Sequence, residues 1–355
     1  MNSASSANEG CPIRETDAMS LSRRTVLLTG SAAAMACAAP AILRAAPDHT
    51  LRLGNIMPVD HPLNVRLNEA AKVVLEQTGG RVDIRVFPAS QLGTDADMLS
   101  QLRSGALNFF VQTGLVVANF VPVAAITGLG FAFTDYAQVW RAVDGELGAH
   151  VRAAFEKVNL IAFERMWDNG FRQTTSSTRP IRAPNDIEGF KIRVPPSAMW
   201  TSLFKALGAA PTSIPWGETY SALQTRVADG LENPLAGIYF AKMYEVQKYL
   251  TRTNHMWDGF WFLANRRSFE AMSAADRDVV VRTMNDFAVR QRADVERLNA
   301  GLQADLEKSG LQFFDVDVRA FQDRLRESTF YKDWRGKFGD ETWSTLERYT
   351  GRLGS

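Results

Sequence analysis

Thr50–Ile56 (TLRLGNI), Pro62–Gln77 (PLNVRLNEAAKVVLEQ), Val82–Phe87 (VDIRVF), Thr94–Ser104 (TDADMLSQLRS) and Leu107–Thr113 (LNFFVQT) follow one another with only short breaks between them. The first, third and fifth are short, apolar or alternating, as strands are; the second and fourth carry apolar residues at helical spacing. Gly79-Gly80 closes the first helix, Pro88 stops the second strand and Gly105 follows the second helix, all ordinary stop signals. Strand, helix, strand, helix, strand implies βαβ units, a largely parallel sheet and an α/β fold. Ligands of such sheets lie beyond the carboxyl ends of the strands. Met57–His61, Gln91–Asp95 and Gln112–Gly114 therefore form one candidate wall.

A second series begins near Leu160, with a strand to Trp167, a short strand around Arg172–Thr175 and a third at Phe190–Val194. A helix is expected over Ser197–Leu207, an extended piece over Ala210–Ser213 and a helix over Gly217–Ala228. Thr251–Asn254 and Phe260–Ala264 read as further strands. Two α/β series of similar size predict two lobes with a cleft between them, a common place for small ligands. After Ser273-Ala-Ala-Asp276 the helical period runs on to Lys308, broken only by Gly301. A helix of that length spans about 50 Å, enough to lie across both lobes. Two more helices are expected, over Val318–Phe330 and Asp340–Tyr349. No repeat or low-complexity linker separates the series, so the lobes are expected to exchange strands.

Ser22-Arg-Arg-Thr-Val-Leu27 precedes an Ala-rich apolar run from about Val26 to Ala41. A basic start, a short apolar centre and small residues behind it describe an export signal, and the run is shorter than the ~20 residues of a membrane helix. The paired arginines point to the twin-arginine route, with cleavage after Ala38, Ala45 or Ala46; Pro47 is taken as the first mature residue. The chain carries 40 Lys and Arg against 39 Asp and Glu. Removing Arg14, Arg23, Arg24 and Arg44 with Glu9, Glu15 and Asp17 leaves the two signs equal in number. That balance argues against nucleic acid and against a polybasic membrane surface. Both cysteines, Cys11 and Cys37, lie in the expected leader. The mature chain then has no disulfide, thiolate metal site or attached haem.

The common catalytic signatures are missing. There is no Gly-x-Ser-x-Gly elbow, His-Glu-x-x-His pair, phosphate-binding loop or dinucleotide fingerprint; Gly128-Leu-Gly130 lacks the third glycine. His49, His61, His150 and His255 show no metal-ligand spacing, and Asp95-Ala-Asp97 and Asp315-Val-Asp317 lack the rest of a calcium loop. No cofactor or metal is expected. Arg172, in Asn169-Gly-Phe-Arg-Gln-Thr-Thr, and Arg193, in Gly189-Phe-Lys-Ile-Arg-Val-Pro195, stand where strand-like segments meet loops. Ala222-Leu-Gln-Thr-Arg-Val-Ala-Asp-Gly-Leu-Glu-Asn-Pro234 follows. A guanidinium matches a carboxylate through two parallel hydrogen bonds, so two arginines with Asn233 make an anion clamp. The plainer reading of an isolated arginine is a surface salt bridge.

The segment Trp167–His255 resembles the periplasmic substrate-binding component of tripartite ATP-independent periplasmic (TRAP) transporters. The resemblance rests on Gly170-Phe-Arg-Gln-Thr-Thr, on Asp186-Ile-Glu-Gly-Phe-Lys-Ile-Arg-Val-Pro195, and on Ala222-Leu-Gln through Asn233-Pro. It also rests on Tyr244-Glu-Val-Gln-Lys-Tyr-Leu with Thr253-Asn-His255. Phe87-Pro-Ala-Ser-Gln-Leu-Gly93, Met98-Leu-Ser-Gln-Leu-Arg-Ser-Gly105 and the long helix extend it over the mature chain. It implies a two-lobed clamshell bridged by a long helix, with Arg193 pairing with a ligand carboxylate, Arg172 supporting it and Asn233 completing the clamp. Where the sialic-acid branch of that family is polar, this chain has Thr113, Val116 and Pro196, although Asp95 is retained. With Trp216 and Trp167 near the clamp, the ligand is expected to be a compact acid with an apolar or aromatic remainder; a C4-dicarboxylate or short sugar acid is the alternative. His61, at the mouth of the first strand, joins the candidate site; its plainer role is to enter the first helix.

The resulting expectation is a leader over 1–46, one lobe from 47–170 with 259–298, and a second from 171–258 with 299–355. The protein would be a monomeric periplasmic receptor that hands a small carboxylate to a membrane TRAP permease. The rival is an exported enzyme, for which Asp168 and Glu218 are the candidate acid or base. A receptor reporting to a sensor kinase is a third reading.

Overall fold

The structure is a computed structural model that describes residues 46–354. The expected leader falls outside those residues except for Ala46. Residues from Ala46 onward form one compact unit, and no helix among the described residues is long and apolar enough to cross a membrane.

Eleven strands join into one sheet: β1 (His49–Asn55), β2 (Val82–Phe87), β3 (Phe109–Thr113), β4 (Leu160–Ala162), β5 (Trp167–Ser176), β6 (Lys191–Val194), β7 (Ala210–Ser213), β8 (Gly230–Pro234), β9 (Tyr249–Arg252), β10 (Trp257–Asn265) and β11 (Gln312–Asp315). The main order is β2-β1-β3-β10-β5-β8-β6-β7, with β4 on β10, β9 on β5 and β11 on β9. Pairing is parallel within β2-β1-β3 and within β8-β6-β7. It is antiparallel where β10 and β5 join those two groups. The sheet is thus mixed rather than largely parallel, because both joining strands return from the opposite direction.

β5 makes the crossing. Trp167–Phe171 pairs with β10, and from Arg172 the strand pairs with β8 and β9. The sequence suggested two separate strands here, with Gly170 in the break. In the structure Gly170 takes φ +121, a backbone state open mainly to glycine, and the strand bends without stopping. The opposite strand shifts register between Asp258 and Gly259. β8 and β11 were not anticipated, and the helix expected over Gly217–Ala228 is a short turn followed by Thr219–Gln224.

The long helix runs from Ala274 to Lys308, 35 residues, and Ser273 caps it by accepting from the Asp276 amide at 3.1 Å. Its first half buries Val280, Met284 and Phe287 with Leu63, Leu67 and Val74 of the helix Pro62–Gln77. Leu306, near its far end, belongs to the other core cluster, which holds Leu231 and Leu250 of β8 and β9. Between these ends Gln291 binds the Asp168 main chain through both amide atoms, at 2.8 and 2.7 Å, and Arg292 reaches the Met166 carbonyl at 2.8 Å. The helix therefore fastens the start of the crossing strand. The last helix, Asp340–Thr350, contacts the helices Tyr136–Val143 and Glu146–Glu156, for example through Gln138 to the Tyr349 carbonyl. That contact joins segments on both sides of the lobe division expected above.

Candidate ligand site

The carboxyl ends of β1 and β3 meet β5, β6 and β8 around a small cavity. Ile56, Met57, Gln112, Thr113 and Val116 line one side, together with Asp95 at the start of the helix Asp95–Ser104. Arg172, Arg193, Pro195, Trp200, Trp216 and Asn233 line the other, and Asn169, Asp258 and Phe260 come from the crossing strands. Six of the eight residues expected from the sequence thus share one cavity: Arg193, Arg172, Asn233, Trp216, Asp95 and Thr113.

Arg193 is the third residue of the short strand β6, fixed between β7 and β8, and is 1% exposed. Nε and Nη2 both donate to the Ile214 carbonyl, at 2.9 and 2.6 Å, which holds the guanidinium by one edge. Nη1 has no partner among the described residues. Burial lowers the Arg193 pKa to about 10, against the opposing pull of Glu232. The Trp216 ring lies under the guanidinium, 5.5 Å from centroid to Cζ. An edge-anchored cation with a free nitrogen in a desolvated cavity calls for an anion.

Arg172 lines the same cavity, but its guanidinium is already held by acidic side chains of the protein. Its Nε and Nη2 grip both carboxylate oxygens of Glu232, and Nη2 also donates to the Glu232 carbonyl at 2.9 Å. Nη1 donates to Asp258 at 2.9 Å. Two buried carboxylates therefore already claim this arginine, and Trp200 covers it at 4.8 Å. Burial alone would raise the Glu232 pKa, but the Arg172 charge and a hydrogen bond from His255 outweigh it and hold Glu232 below its usual value. Burial pushes Asp258 up to about 6, even with Arg172 beside it. Arg172 is the centre of a buried ion network that underlies the cavity. Its partners lie 60 and 86 residues away in the chain, so local sequence carries no sign of them.

On the opposite wall Asp95 accepts from Gln112 Nε2 at 2.6 Å, and Gln112 Oε1 accepts from the Thr113 amide at 2.7 Å. Gln112 links two anticipated residues and was missed as an individual site residue, although it opened one expected wall segment. Asn233 is 3% exposed; a β-carbon on Gly237 would stand 2.3 Å from its Oδ1, so glycine there lets the amide keep its place. Asn169 and Asp258 were not anticipated as ligand-facing residues. They hold each other through Asn169 Nδ2 and Asp258 Oδ2, 3.0 Å apart.

Trp167 and His61 do not line the cavity. Trp167 is buried in the apolar cluster with Leu51 and Phe260. His61 caps the helix Pro62–Gln77, accepting from the Leu63 amide at 3.2 Å, and burial lowers its pKa to about 3. Its ring meets Phe240 edge-on at 5.6 Å. Asp168 accepts from Trp257 Nε1 at 2.9 Å away from the lining, and Glu218 is exposed. Among the described residues no group of His, Cys, Asp and Glu could hold a metal ion.

A mixed α/β fold with a buried cation in a cleft between its two strand groups defines a ligand-binding clamshell. Residues 53–332 match the family described as bacterial extracellular solute-binding protein, family 7. The chain belongs to that family, the solute receptors of TRAP transporters. It is 36% identical over 309 residues to the uncharacterized protein y4mM of Sinorhizobium fredii, covering 86% of this chain and 57% of that relative. It is 31% identical to the 2,3-diketo-L-gulonate-binding periplasmic protein YiaO of Escherichia coli, over 70% of this chain and 76% of the other. A solved TRAP periplasmic solute-binding protein from Polaromonas sp. JS666, bound to D-erythronate, superposes with a TM-score of 0.80 at 28% identity. That match covers 84% of this chain and 98% of the other.

Proposed function

We propose that this protein is a periplasmic receptor that captures a small organic acid by its carboxylate and delivers it to a membrane TRAP permease. The observation that carries this reading is the free Nη1 of Arg193, buried and without a carboxylate partner. Lowering an arginine pKa from 12.5 to about 10 corresponds to roughly 3 kcal/mol against the buried charge. A ligand carboxylate offsets that cost through charge-assisted hydrogen bonds to Nη1, with Asn233 beside it. YiaO, named for a sugar-acid derivative, and the erythronate-bound neighbour support an organic acid as the ligand class.

In this reading the segments 47–170 with 259–298 and 171–258 with 299–355 are the two bodies that close on the ligand. The change of strand partner at Phe171–Arg172 supports that division, with one exception: the last helix, Asp340–Thr350, packs against Tyr136–Val143 and Glu146–Glu156 and rides on the first body. A twin-arginine leader over 1–46 carries the chain out, and it acts as a monomer. Neither Asp168 nor Glu218, the candidate acid or base of the enzyme reading, lines the cavity.

The test is a thermal-shift screen with organic acids, followed by calorimetry on wild type and Arg193→Ala. A ligand at a hundred times its Kd raises stability by about 2.7 kcal/mol, an upward shift of several degrees. If no acid stabilises the protein, or Arg193→Ala binds as tightly as wild type, the receptor reading fails. Mass spectrometry of a recovered ligand checks that it leaves unchanged.

A further inference from the structure

Five buried polar atoms on residues lining the cavity have no hydrogen-bond partner among the described residues: Arg193 Nη1, Trp200 Nε1, Asn169 Oδ1, Asp258 Oδ1 and Asn233 Oδ1. Buried polar groups are normally paired, so this concentration describes what the cavity is built to receive. The donors are at Arg193 and Trp200. The acceptors of fixed identity are Asn169 and Asp258, because the Asn169 amide nitrogen is committed to Asp258 Oδ2 at 3.0 Å and its oxygen must be the free atom. The Asn233 amide serves in either sense.

We propose that the cavity selects a hydroxylated monocarboxylate, taking the carboxylate on Arg193 and the hydroxyl groups on Asn169 and Asp258, and that it discriminates against dicarboxylates. This rests on the reading of the cavity as an organic-acid site.

Three observations carry it. Free acceptors need a donor from the ligand, and a hydroxyl supplies one while also accepting from a group such as Trp200 Nε1. An apolar remainder would leave those acceptors buried and unpaired. Next, the cavity has one uncommitted cation. Arg172 is held by Glu232 and Asp258, so a second carboxylate would find no cation of its own. It would lie beside Asp95 and Asp258 instead, and like charges in a desolvated site repel strongly. Finally, of the two indoles that suggested an aromatic ligand, Trp167 lies outside the lining and Trp216 lies against Arg193, while the Trp200 ring stands against Arg172.

The experiment holds carbon number constant and measures wild-type affinity by calorimetry for butanoate, butanedioate and 2,3,4-trihydroxybutanoate. The expected result is a trihydroxy acid bound at least about tenfold more tightly than either of the others, a difference one good hydrogen bond supplies. Asp258→Asn and Asn169→Ala, checked for folding by their unliganded melting curves, should shrink that preference while keeping residual carboxylate binding. Should either variant fail to fold, the wild-type ranking decides alone. Butanedioate or butanoate binding as tightly as the trihydroxy acid overturns the selectivity and leaves the organic-acid site standing. Binding only by aromatic or aliphatic acids in the wider screen does the same. No binding by any carboxylate overturns both.

Discussion

Arg193 on β6 and Arg172 on β5 flank β8, and the same residue type does opposite things in the two places. Arg172 completes a network in which Glu232 and Asp258 depend on it. Arg172→Met should therefore destabilise the protein by about 3–5 kcal/mol, the cost of leaving buried acids without their cation. Arg193→Met removes an unneutralised buried charge and should raise unliganded stability by about 1–3 kcal/mol while abolishing the ligand-induced thermal shift. Urea unfolding of both variants, with and without ligand, checks the contrast; a loss of stability in both would mean that Arg193 is a structural group like its neighbour. The sequence distinguished Arg193 through its Lys-Ile-Arg-Val-Pro setting, and it also pointed to Asn233, Trp216, Asp95 and Thr113. It could not distinguish Arg172 as an internal partner, since that depends on charges brought from distant strands.

Two glycines within helices show how elements serve the site. Gly237 lies in the helix Leu235–Phe240, where a β-carbon would meet the Asn233 amide at 2.3 Å. Gly237→Ala should weaken ligand affinity by about tenfold, through a displaced Asn233 hydrogen bond, with little change in melting temperature. Gly301 lies in the bridging helix with nothing near its β position. Gly301→Ala should add about 1 kcal/mol of stability from helix propensity alone and leave affinity unchanged. Calorimetry beside urea titration separates the two effects. At this scale the strands β1, β2 and β7 and the long helix were legible, because period and punctuation agreed. β8 was not: no strand was read at Gly230-Leu-Glu-Asn-Pro, and it is pairing with Arg172 and His255 that makes a buried Glu232 acceptable in a central strand. The helix Tyr136–Val143 was overlooked although Asp135 offered the signal, capping the Gln138 amide at 2.8 Å.

For the molecule as a whole, the place where β5, β10 and the long helix meet carries a pH dependence. Burial pushes Asp168 up to about 7, against the hydrogen bond from Trp257. Its ordinary value is 3.8, so between about pH 4 and 7 the folded state holds a proton that the unfolded chain has released. The stabilisation from that proton is complete below pH 4 and disappears as pH rises through 7, by at most about 1.4 kcal/mol per pH unit. Asp168→Asn removes this slope. Urea midpoints at pH 5 and pH 7.5 should therefore lie closer together in the variant than in wild type. Parallel slopes would show that Asp168 keeps an ordinary carboxyl pKa.

The pairing of β3 with β10 also sets an order of events during synthesis. Phe109 has Ala264 as its partner across the sheet, so β1, β2 and β3 emerge from the ribosome long before their neighbour exists. Until Trp257–Asn265 has been made, β3 presents a bare apolar edge, the kind of surface that recruits foreign strands. A nascent or truncated chain ending before Trp257 is consequently the form most in need of a chaperone.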